Sequence, residues 1–560
     1  MIGMAFYPLS RVVTAILVFF TSIFSGAGFA AATGQAPPSL APLPYPAWTH
    51  EHWVWENDGD EDSAKAFAQG FLDRDIPVGV LNIDRPWAKE VGDFTPHPQL
   101  YPHMDQLAGW CHENGMKLTL WTTCMVNEGA ANFAYAKEKG YFLSDGKVQK
   151  WWAGNGAMLD YTNPEAVRWW HGEMDKAFAL GIDGWKLDGA DPYVMLLLPA
   201  YGKGGLVGWK QYQKLQYEDF YDFSKEKGKI VWTRPTDDVI GWGLPLTFAP
   251  REINFVGWVG DQDNDWGGLR AALNQMFTSS LFNYVSYGSD IGGFRSGPAK
   301  NPKDVFLRWA QLGAFTPIME NGGGGEHRPW MYDEPGQTDA TDIYRDFVRL
   351  HYALIPYISS QVAYSYETHQ PTMRPSSGVY QYMLGDSLLV APFYQEGNER
   401  TIVFPQGDWL YLFDEARSYK MGVQTLTVPM EEFPVFIRKG AILPTQGLGD
   451  GFTTVKIYPA EGTQQFGLYE QDRKGTMLSY TKSGSGLTIQ SGATQHPLLF
   501  RVYGEPAPQS VKLGGQALAA AASLDALQAM DAAGYFADAQ GILWIAVPDA
   551  TAGAELTVAY

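Results

Sequence analysis

Two hydrophobic patterns divide the chain. From residue 50 to about 365, short apolar runs bounded by Gly, Pro and Asp alternate with longer amphipathic stretches of helical period. The apolar runs are 78–83, 117–121, 184–187, 229–232 and 283–287, and the helical stretches are 62–73, 103–114, 164–180 and 302–313. Strand–helix alternation over roughly 300 residues predicts an α/β fold, and this length favours a closed (β/α)8 TIM barrel.

The pattern changes after about residue 370. Helical periodicity fades, and short β-rich runs separated by Gly and Pro occupy 380–437 and then 454–547. These runs predict two antiparallel β-sandwich domains after the barrel. The predicted units are a barrel over 48–366, a proximal β-sandwich over 367–450 and a distal β-sandwich over 451–560.

The first 30 residues have the layout of a signal peptide. Arg11 precedes an apolar run over 12–20, and small residues follow as far as Ala30. The run is short for a membrane-spanning helix, which needs about 20 apolar residues, so a short membrane anchor is the alternative interpretation. Residues 31–47, rich in Pro and Ala, are predicted to be a linker. We therefore expect a protein exported to a periplasm or to the cell exterior, without stable membrane insertion.

Composition excludes several classes of protein. Of the 560 residues, 45% are hydrophobic and 18% charged, which is typical of a globular chain. The net charge of −20 argues against a nucleic-acid partner, because phosphate binding needs a basic surface. The two cysteines, Cys111 and Cys124, are interpreted as buried thiols, with a bridge between them as the alternative. His and Glu at 112–114 and 325–327 lack the spacing of metal ligands, so we expect no metal site.

Acidic residues recur after the predicted strands. Asp84, Asp188 and Asp290 each end an apolar run, and Asp261 lies in the segment GWVGDQDNDW. A single Asp in such a place is typically a helix cap or a turn residue. Four of them predict a pocket at the C-terminal ends of the barrel strands, where barrels carry their chemistry. Carboxyl groups beside aromatic side chains suit a neutral, polyhydroxylated ligand.

Two carboxyl groups in one pocket can cleave a glycosidic bond. One must be ionised to attack the anomeric carbon, and the other must be protonated to protonate the leaving oxygen. Lys186 lies two residues before Asp188 on the same strand face, and Arg234 ends another predicted strand. Either cation could keep the attacking carboxylate ionised. Trp258 could raise the pKa of the acid by excluding water.

Several segments between residues 76 and 445 have the order and spacing of a known family. They are NIDRPW, GIDGWKLDGAD, GWVGDQDNDWGGL, SYGSDIGGF, LRWAQLGAFTPIM, YMLGDSLLVAPF and FPVFIRKGAILP. With these segments the chain resembles glycoside hydrolase family 31, the retaining α-glycosidases that include α-glucosidases, α-xylosidases and α-galactosidases. The resemblance implies a catalytic barrel followed by β-sandwiches, and an enzyme that needs no cofactor.

The resemblance also implies roles for single residues. Asp188 matches the family's nucleophile and Asp261 its general acid/base, with Asp263 or Asp265 as the alternative acid. The expected substrate-binding residues are Asp84, Trp87, Lys186, Arg234, Trp258, Asp290, Glu320 and His327.

Two departures from the family pattern change the expected pocket. Only the 17 residues 31–47 separate the predicted signal from the barrel, where most members carry a β-sandwich. We therefore expect a different pocket rim, built by His52, Trp55 and Glu56. On the last barrel strand, Glu320 and Gly322 stand where the family usually has Arg-x-His. Because that histidine typically contacts the deepest sugar, we expect an α-galactoside or α-xyloside in preference to an α-glucoside.

The expected function is that of a secreted retaining α-glycosidase. It would hydrolyse a terminal α-linked sugar of an oligosaccharide or glycoside through a covalent glycosyl-Asp188 intermediate. The carboxyl groups of Asp188 and Asp261 should then lie on the order of 5–6 Å apart. The alternatives are a non-catalytic carbohydrate-binding protein on the same fold, and a transglycosylase or lyase that uses the same nucleophile.

Overall fold

Eight parallel strands form the N-terminal part of the molecule. The computed structural model describes residues 40–189, 200–237, 246–295, 302–447, 451–470 and 475–560, so the predicted signal peptide and most of the predicted linker lie outside the described residues. The strands are β1 (His52–Glu56), β2 (Val80–Ile83), β3 (Lys117–Thr122), β4 (Gly184–Leu187), β5 (Ile230–Thr233), β6 (Trp258–Val259), β7 (Gly288–Ser289) and β8 (Met319–Gly323).

These strands close into a barrel. Six of them pair side by side in the order β5-β4-β3-β2-β1-β8, and β6 pairs with β7. A bridge between Thr233 and Gly257 joins β5 to β6, and the Ile291 N–H donates to the Glu320 carbonyl, which joins β7 to β8. The predicted (β/α)8 TIM barrel is thus confirmed. The run 283–287 is not a strand: it is the loop before β7, and its apolar side chains pack into the core.

Helices follow most of the barrel strands. They span Glu61–Leu72, Met104–Glu113, Phe133–Glu138, Pro164–Phe178, Trp209–Glu226, Trp266–Leu281, Lys303–Gly313 and Asp339–Thr368. Between β5 and β6 the described residues contain the short paired strands Thr236–Asp237 and Leu246–Thr247, and their only helical element is the 3-10 turn Arg251–Ile253. Several starts are fixed by side-chain caps, because Asp60, Asn163 and Asp265 accept hydrogen bonds from N–H groups of the first turn. Among the described residues, no helix combines the length and apolarity that crossing a bilayer requires.

In the C-terminal part, the described residues form three six-stranded sheets. The first is antiparallel, with strands Met373–Pro375, Tyr382–Leu384, Leu388–Val390, Glu399–Tyr411, Asp414–Thr427 and Val435–Arg438. The second contains Ile442–Gln446, Thr453–Ile457, Leu498–Val502, Ala519–Ala520, Gly534–Ala537 and Leu543–Val547, and the third Gly462–Leu468, Thr476–Ser483, Gly486–Ser491, Ser510–Leu513, Gln516–Ala517 and Ala554–Ala559. The second sheet already begins at Ile442, before the boundary predicted at 450.

Tryptophan fills the barrel interior. Trp53, Trp55, Trp232 and Trp258 are buried in one cluster with a few aliphatic side chains, and we refer to these four as the tryptophan floor. The rings of three of them are in contact, with centroids 4.9 Å apart for Trp53 and Trp232 and 5.0 Å for Trp232 and Trp258. A barrel interior is normally filled by smaller branched residues. The indoles therefore give the strand ends a rigid, apolar base.

One arginine ties the barrel to the first C-terminal sheet. Arg308, on the helix Lys303–Gly313, is 1% exposed. Its guanidinium donates to the carbonyls of Val428, Pro429 and Glu432, in the segment that connects two strands of that sheet. It also packs over the ring of Phe393. A buried cation with this many acceptors holds the two units in fixed contact.

We predict that Arg308→Leu lowers the free energy of unfolding by roughly 3 kcal/mol, because three buried carbonyls lose a charged donor. Urea unfolding of the variant and the parent measures the change. Arg417→Ala is the control: Arg417 is exposed, and its loss should change stability by less than about 0.5 kcal/mol. Equal stability of Arg308→Leu and the parent would contradict this assignment.

Candidate active site

The C-terminal strand ends bring seven charged side chains to one place. Asp84 follows β2, Lys186 lies on β4 with Asp188 just after it, Arg234 follows β5, Asp261 follows β6, Asp290 follows β7 and Glu320 lies on β8. All four aspartates predicted at strand ends therefore meet at one end of the barrel. The parallel register explains this, because strands closed in a barrel end on the same face.

Arg234 bridges the two predicted catalytic carboxyl groups. One guanidinium nitrogen lies 3.3 Å from Oδ1 of Asp188 and 3.5 Å from Oδ1 of Asp261. The two carboxyl oxygens are therefore less than about 7 Å apart, a bound that admits the separation of about 5–5.5 Å in retaining glycosidases and excludes most of the range of about 6.5–9.5 Å in inverting ones. Arg234 itself is 4% exposed, whereas the Asp188 and Asp261 side chains are 18% and 38% exposed. The cation is buried and the two carboxyl groups face the opening.

Asp188 is held from two further sides. Its N–H donates to the Thr122 carbonyl, and the Trp121 indole N–H donates to Oδ2 at 3.4 Å. Burial raises the pKa of Asp188, while the Arg234 charge opposes this rise. Sequence reasoning missed Trp121. It ends a strand of ordinary β pattern, and only its aromatic character at a strand end could have drawn attention to it.

Asp261 is presented by a constrained backbone. Its φ is +64°, in the left-handed region that Asp tolerates better than most residues, and its N–H donates to Oδ2 of Asp290 at 2.9 Å. The alternative acids are placed differently. Asp263 is exposed, and Asp265 accepts from the Gly268 N–H as the cap of the helix Trp266–Leu281. Asp261 is thus the member of this acidic segment that the structure places against Arg234.

Lys186 lies between the tryptophan floor and the carboxyl groups. Its Nζ is 3.5 Å from the centroid of the Trp55 ring and donates to Oδ2 of Asp84 at 2.9 Å. Burial disfavours its charge, but Asp84 and the neighbouring acids outweigh this and raise the pKa of Lys186. Trp258 has the same relation to Arg234, whose guanidinium carbon lies 4.8 Å from the ring centroid. Both cations are therefore sandwiched between an indole face and a carboxylate.

Glu320 and Gly322 give β8 an unusual surface. Glu320 is fully buried, and its Oε2 accepts from the Trp55 indole N–H at 3.2 Å. Burial, together with the charge of Asp290, raises the pKa of Glu320 well above its ordinary value. A Cβ added at Gly322 would lie 2.3 Å from the Trp55 ring. The Trp55 indole therefore occupies the space that a side chain at 322 would need.

Three residues expected to serve the site are engaged elsewhere. Trp87 is 3% exposed and donates its indole N–H to the Trp121 carbonyl, so it supports Trp121 from behind. His327 is buried with both ring nitrogens in contact with backbone carbonyls, and burial lowers its pKa to about 4. The expectation that His52 forms the rim is wrong. His52 begins β1, at the far end of the strand, and contacts the Pro77 carbonyl and the Tyr344 hydroxyl.

The opening carries an aromatic residue that the sequence did not single out. Trp152 is 54% exposed, and its ring packs edge-on against Trp121 with centroids 5.7 Å apart. The Arg85 guanidinium lies 4.9 Å from the Trp152 centroid.

Within the described ranges, no group of three or more His, Cys, Asp or Glu side chains is arranged to hold a metal ion. Cys111 and Cys124 are buried and no disulfide joins them.

Comparisons with known proteins agree with this geometry. The model of the glycosyl hydrolases family 31 TIM-barrel domain matches residues 42–361, and that of the family's C-terminal domain matches 359–443. An alpha-xylosidase from Emericella nidulans is 28% identical over 72% of this chain and 54% of its own length. An isomaltosyltransferase from Sporosarcina globispora is 25% identical over 81% of this chain and 45% of its own length. The chain thus spans about half the length of these curated relatives.

Solved structures show the same fold. A dextranase of this family from Flavobacterium johnsoniae, complexed with glucose, superposes with a TM-score of 0.80 at 20% identity, over 93% of this chain and 71% of that chain. The barrel, the strand-end carboxyl groups and the two family models agree with one another. The chain belongs to glycoside hydrolase family 31, a family of α-glycosidases.

Proposed function

We propose that the chain is an exported, retaining α-glycosidase in which Asp188 is the nucleophile and Asp261 the general acid/base. The observation that carries this proposal is the single Arg234 nitrogen in contact with both carboxyl groups. The upper bound of about 7 Å on their separation excludes most of the range of about 6.5–9.5 Å in which inverting enzymes hold a water between base and sugar. Export rests on the signal-like layout of residues 1–30.

Each of the two carboxyl groups acts in both steps of the reaction. Ionised Asp188 attacks the anomeric carbon, the glycosidic C–O bond breaks, and Asp261 gives its proton to the leaving oxygen. Asp261 then takes a proton from water, the water oxygen attacks the anomeric carbon, and the ester bond to Asp188 breaks. The pair carries one negative charge in the free enzyme and one in the intermediate. Arg234 contacts both groups, so it neutralises that charge wherever it lies.

The proposed substrate is an α-xyloside. The floor of the site is crowded, because the Trp55 indole fills the space beside Gly322. A xylosyl unit lacks the hydroxymethyl group of glucose and galactose and needs less room. The Emericella nidulans relative, named an alpha-xylosidase, supports the same choice. Transfer to a second sugar and elimination would start from the same glycosyl-Asp188 intermediate, and product analysis separates them from hydrolysis.

We predict that Asp188→Ala and Asp261→Ala respond differently to azide. Loss of the nucleophile should lower kcat at least about 10⁴-fold. Azide should then enter the space left by Asp188 and convert an α-glycosyl fluoride to the β-glycosyl azide. In Asp261→Ala, azide should replace water in the second step and yield the α-glycosyl azide. NMR of the purified products assigns the anomer.

Asp263→Ala is the matched control for these variants, because Asp263 lies in the same loop but is exposed. It should keep kcat within about threefold of the parent. Full activity of Asp188→Ala or Asp261→Ala, or the opposite anomer from either variant, would refute the assigned roles.

We predict that the acidic side of the pH profile of kcat/KM reports Asp188. Asp188 must be ionised, so activity falls as pH falls through its pKa, which burial raises. Arg234→Met removes the charge that opposes this rise, and the acidic limb should move to higher pH. Arg270→Met, whose guanidinium contacts the Tyr394 carbonyl outside the site, should leave the limb in place. A shift to lower pH in Arg234→Met would contradict this assignment.

We predict that p-nitrophenyl α-xyloside is the preferred aryl substrate. Its kcat/KM should exceed those of the α-galactoside and the α-glucoside by about tenfold or more, because one extra carbon group in a filled pocket has an effect of about 10–200-fold. The p-nitrophenyl α-N-acetylgalactosaminide is measured beside these three substrates as a fourth. Faster turnover of the galactoside or glucoside would overturn the choice of sugar while leaving the reaction type intact.

A further inference from the structure

Carboxyl groups outnumber cations in the site. The set comprises Asp84, Asp188, Asp261, Asp290 and Glu320, against Lys186 and Arg234. Arg234 contacts Asp188 and Asp261, and Lys186 donates to Asp84. Neither cation makes a hydrogen bond to Asp290 or Glu320 among those that the described residues show. Because like charges this close cannot all ionise in a water-poor setting, at least one of these acids must hold a proton.

The two remaining acids face each other at the bottom of the site. Asp290 is 1% exposed and Glu320 is fully buried, the Ile291 N–H bond to the Glu320 carbonyl joins their strand ends, and a side-chain hydrogen bond with Asp290 contributes to the raised pKa of Glu320. Oδ2 of Asp290 accepts the Asp261 N–H, and Oε2 of Glu320 accepts the Trp55 indole N–H. Oδ1 of Asp290 and Oε1 of Glu320 are buried without a donor from any described residue. Two ionised groups would leave both oxygens unsatisfied, which is costly.

We infer that Glu320 is a neutral carboxylic acid that donates its proton to Asp290, and that through Asp290 it positions Asp261. A shared proton satisfies both unpartnered oxygens with one strong hydrogen bond. Asp290 then keeps its negative charge and continues to accept the Asp261 N–H. The assignment of the proton to Glu320 follows from the surroundings, because Asp290 accepts the shorter hydrogen bond, 2.9 Å from the Asp261 N–H against 3.2 Å from the Trp55 indole to Glu320, and both Lys186 and Arg234 favour its ionisation.

Burial acts in the same direction on both groups. It raises the pKa of Asp290 to about 7, and raises that of Glu320 well above the ordinary range. Lys186 favours ionisation of both, Asp261 opposes ionisation of Asp290, and Arg234 favours it. The neutral His327 adds no charge, because burial lowers its pKa to about 4. Burial therefore favours a proton on this pair, in agreement with the unpartnered oxygens.

The consequence concerns the acid/base. Asp261 has a left-handed backbone, and its N–H is held by Asp290. If residue 320 donates no proton, Asp290 must turn toward Lys186 or water, and the Asp261 loop loses its fixed acceptor. This step rests on the proposed role of Asp261, whereas the protonation of Glu320 does not. The two can be tested separately.

Infrared spectroscopy tests the proton directly. The carbonyl stretch of a protonated carboxylic acid is separate from the carboxylate bands, and the difference spectrum of the parent minus Glu320→Gln isolates one residue. We expect a positive acid band from Glu320. The spectra are recorded at mildly alkaline pH, where Glu56, whose pKa is about 7, is ionised and contributes no acid band. Glu326→Gln is the control: Arg328 lowers the pKa of Glu326, so its difference spectrum should show loss of a carboxylate and no acid band. A carboxylate band in the Glu320 difference spectrum would overturn the inference.

Kinetics tests the positioning role. Glu320→Gln keeps an N–H donor for Asp290 and should retain kcat within about tenfold, whereas the similarly sized Glu320→Leu, without a donor, should lose about 10²-fold in kcat with a smaller change in KM. Circular dichroism confirms that both variants are folded. Equal kcat for Gln and Leu would refute positioning through a hydrogen bond. The azide products of Asp261→Ala judge the acid/base role independently, so failure of one proposal is not failure of the other.

Discussion

Charge burial in a water-poor barrel end is the constraint on which the site depends. Five carboxyl groups and two cations meet above the tryptophan floor, and each cation lies between an indole face and a carboxylate. The aromatic faces stabilise the cations and exclude water, which strengthens every ion pair but penalises every unpaired charge. The arrangement is therefore stable only with a defined number of protons. That requirement links Asp188, Asp261 and the tryptophan floor into one electrostatic unit.

The barrel supplies geometry that no single segment could. Asp188 and Asp261 are 73 positions apart in sequence, and they reach one guanidinium nitrogen because β4, β5 and β6 are neighbours whose ends lie on one face. The caps and the buried Arg308 junction keep the helices and the first C-terminal sheet in place around those ends. Because Asp188, Arg234 and Asp261 follow separate strands, a small shift of one strand changes the distance between the two carboxyl groups.

The hydrophobic periodicity of the sequence was sufficient to predict the barrel. The aspartates that follow the predicted strands were sufficient to predict that four of them meet at one end of it. The pattern failed at 283–287, where an apolar run packs as a loop because burial alone does not distinguish a strand from a buried connection. The roles of the residues around these aspartates were harder to predict from the sequence. Trp87 and His327 have residue types suited to sugar contact, yet their polar atoms are used within the protein. Trp121 and Trp152 were missed because their position at the opening depends on the β3 end and the loop after it, which no sequence period encodes.

Trp55 shows why the floor behaves as a unit. Its indole face supports Lys186, its N–H donates to Glu320, and its ring fills the space beside Gly322. A large side chain at 322 therefore requires a smaller residue at 55. A smaller residue at 55 would in turn remove the aromatic face nearest to Lys186 and leave Glu320 without its donor. In the proposed enzyme the same ring would set both sugar size and proton placement, so a change of specificity on β8 would need a matching change on β1.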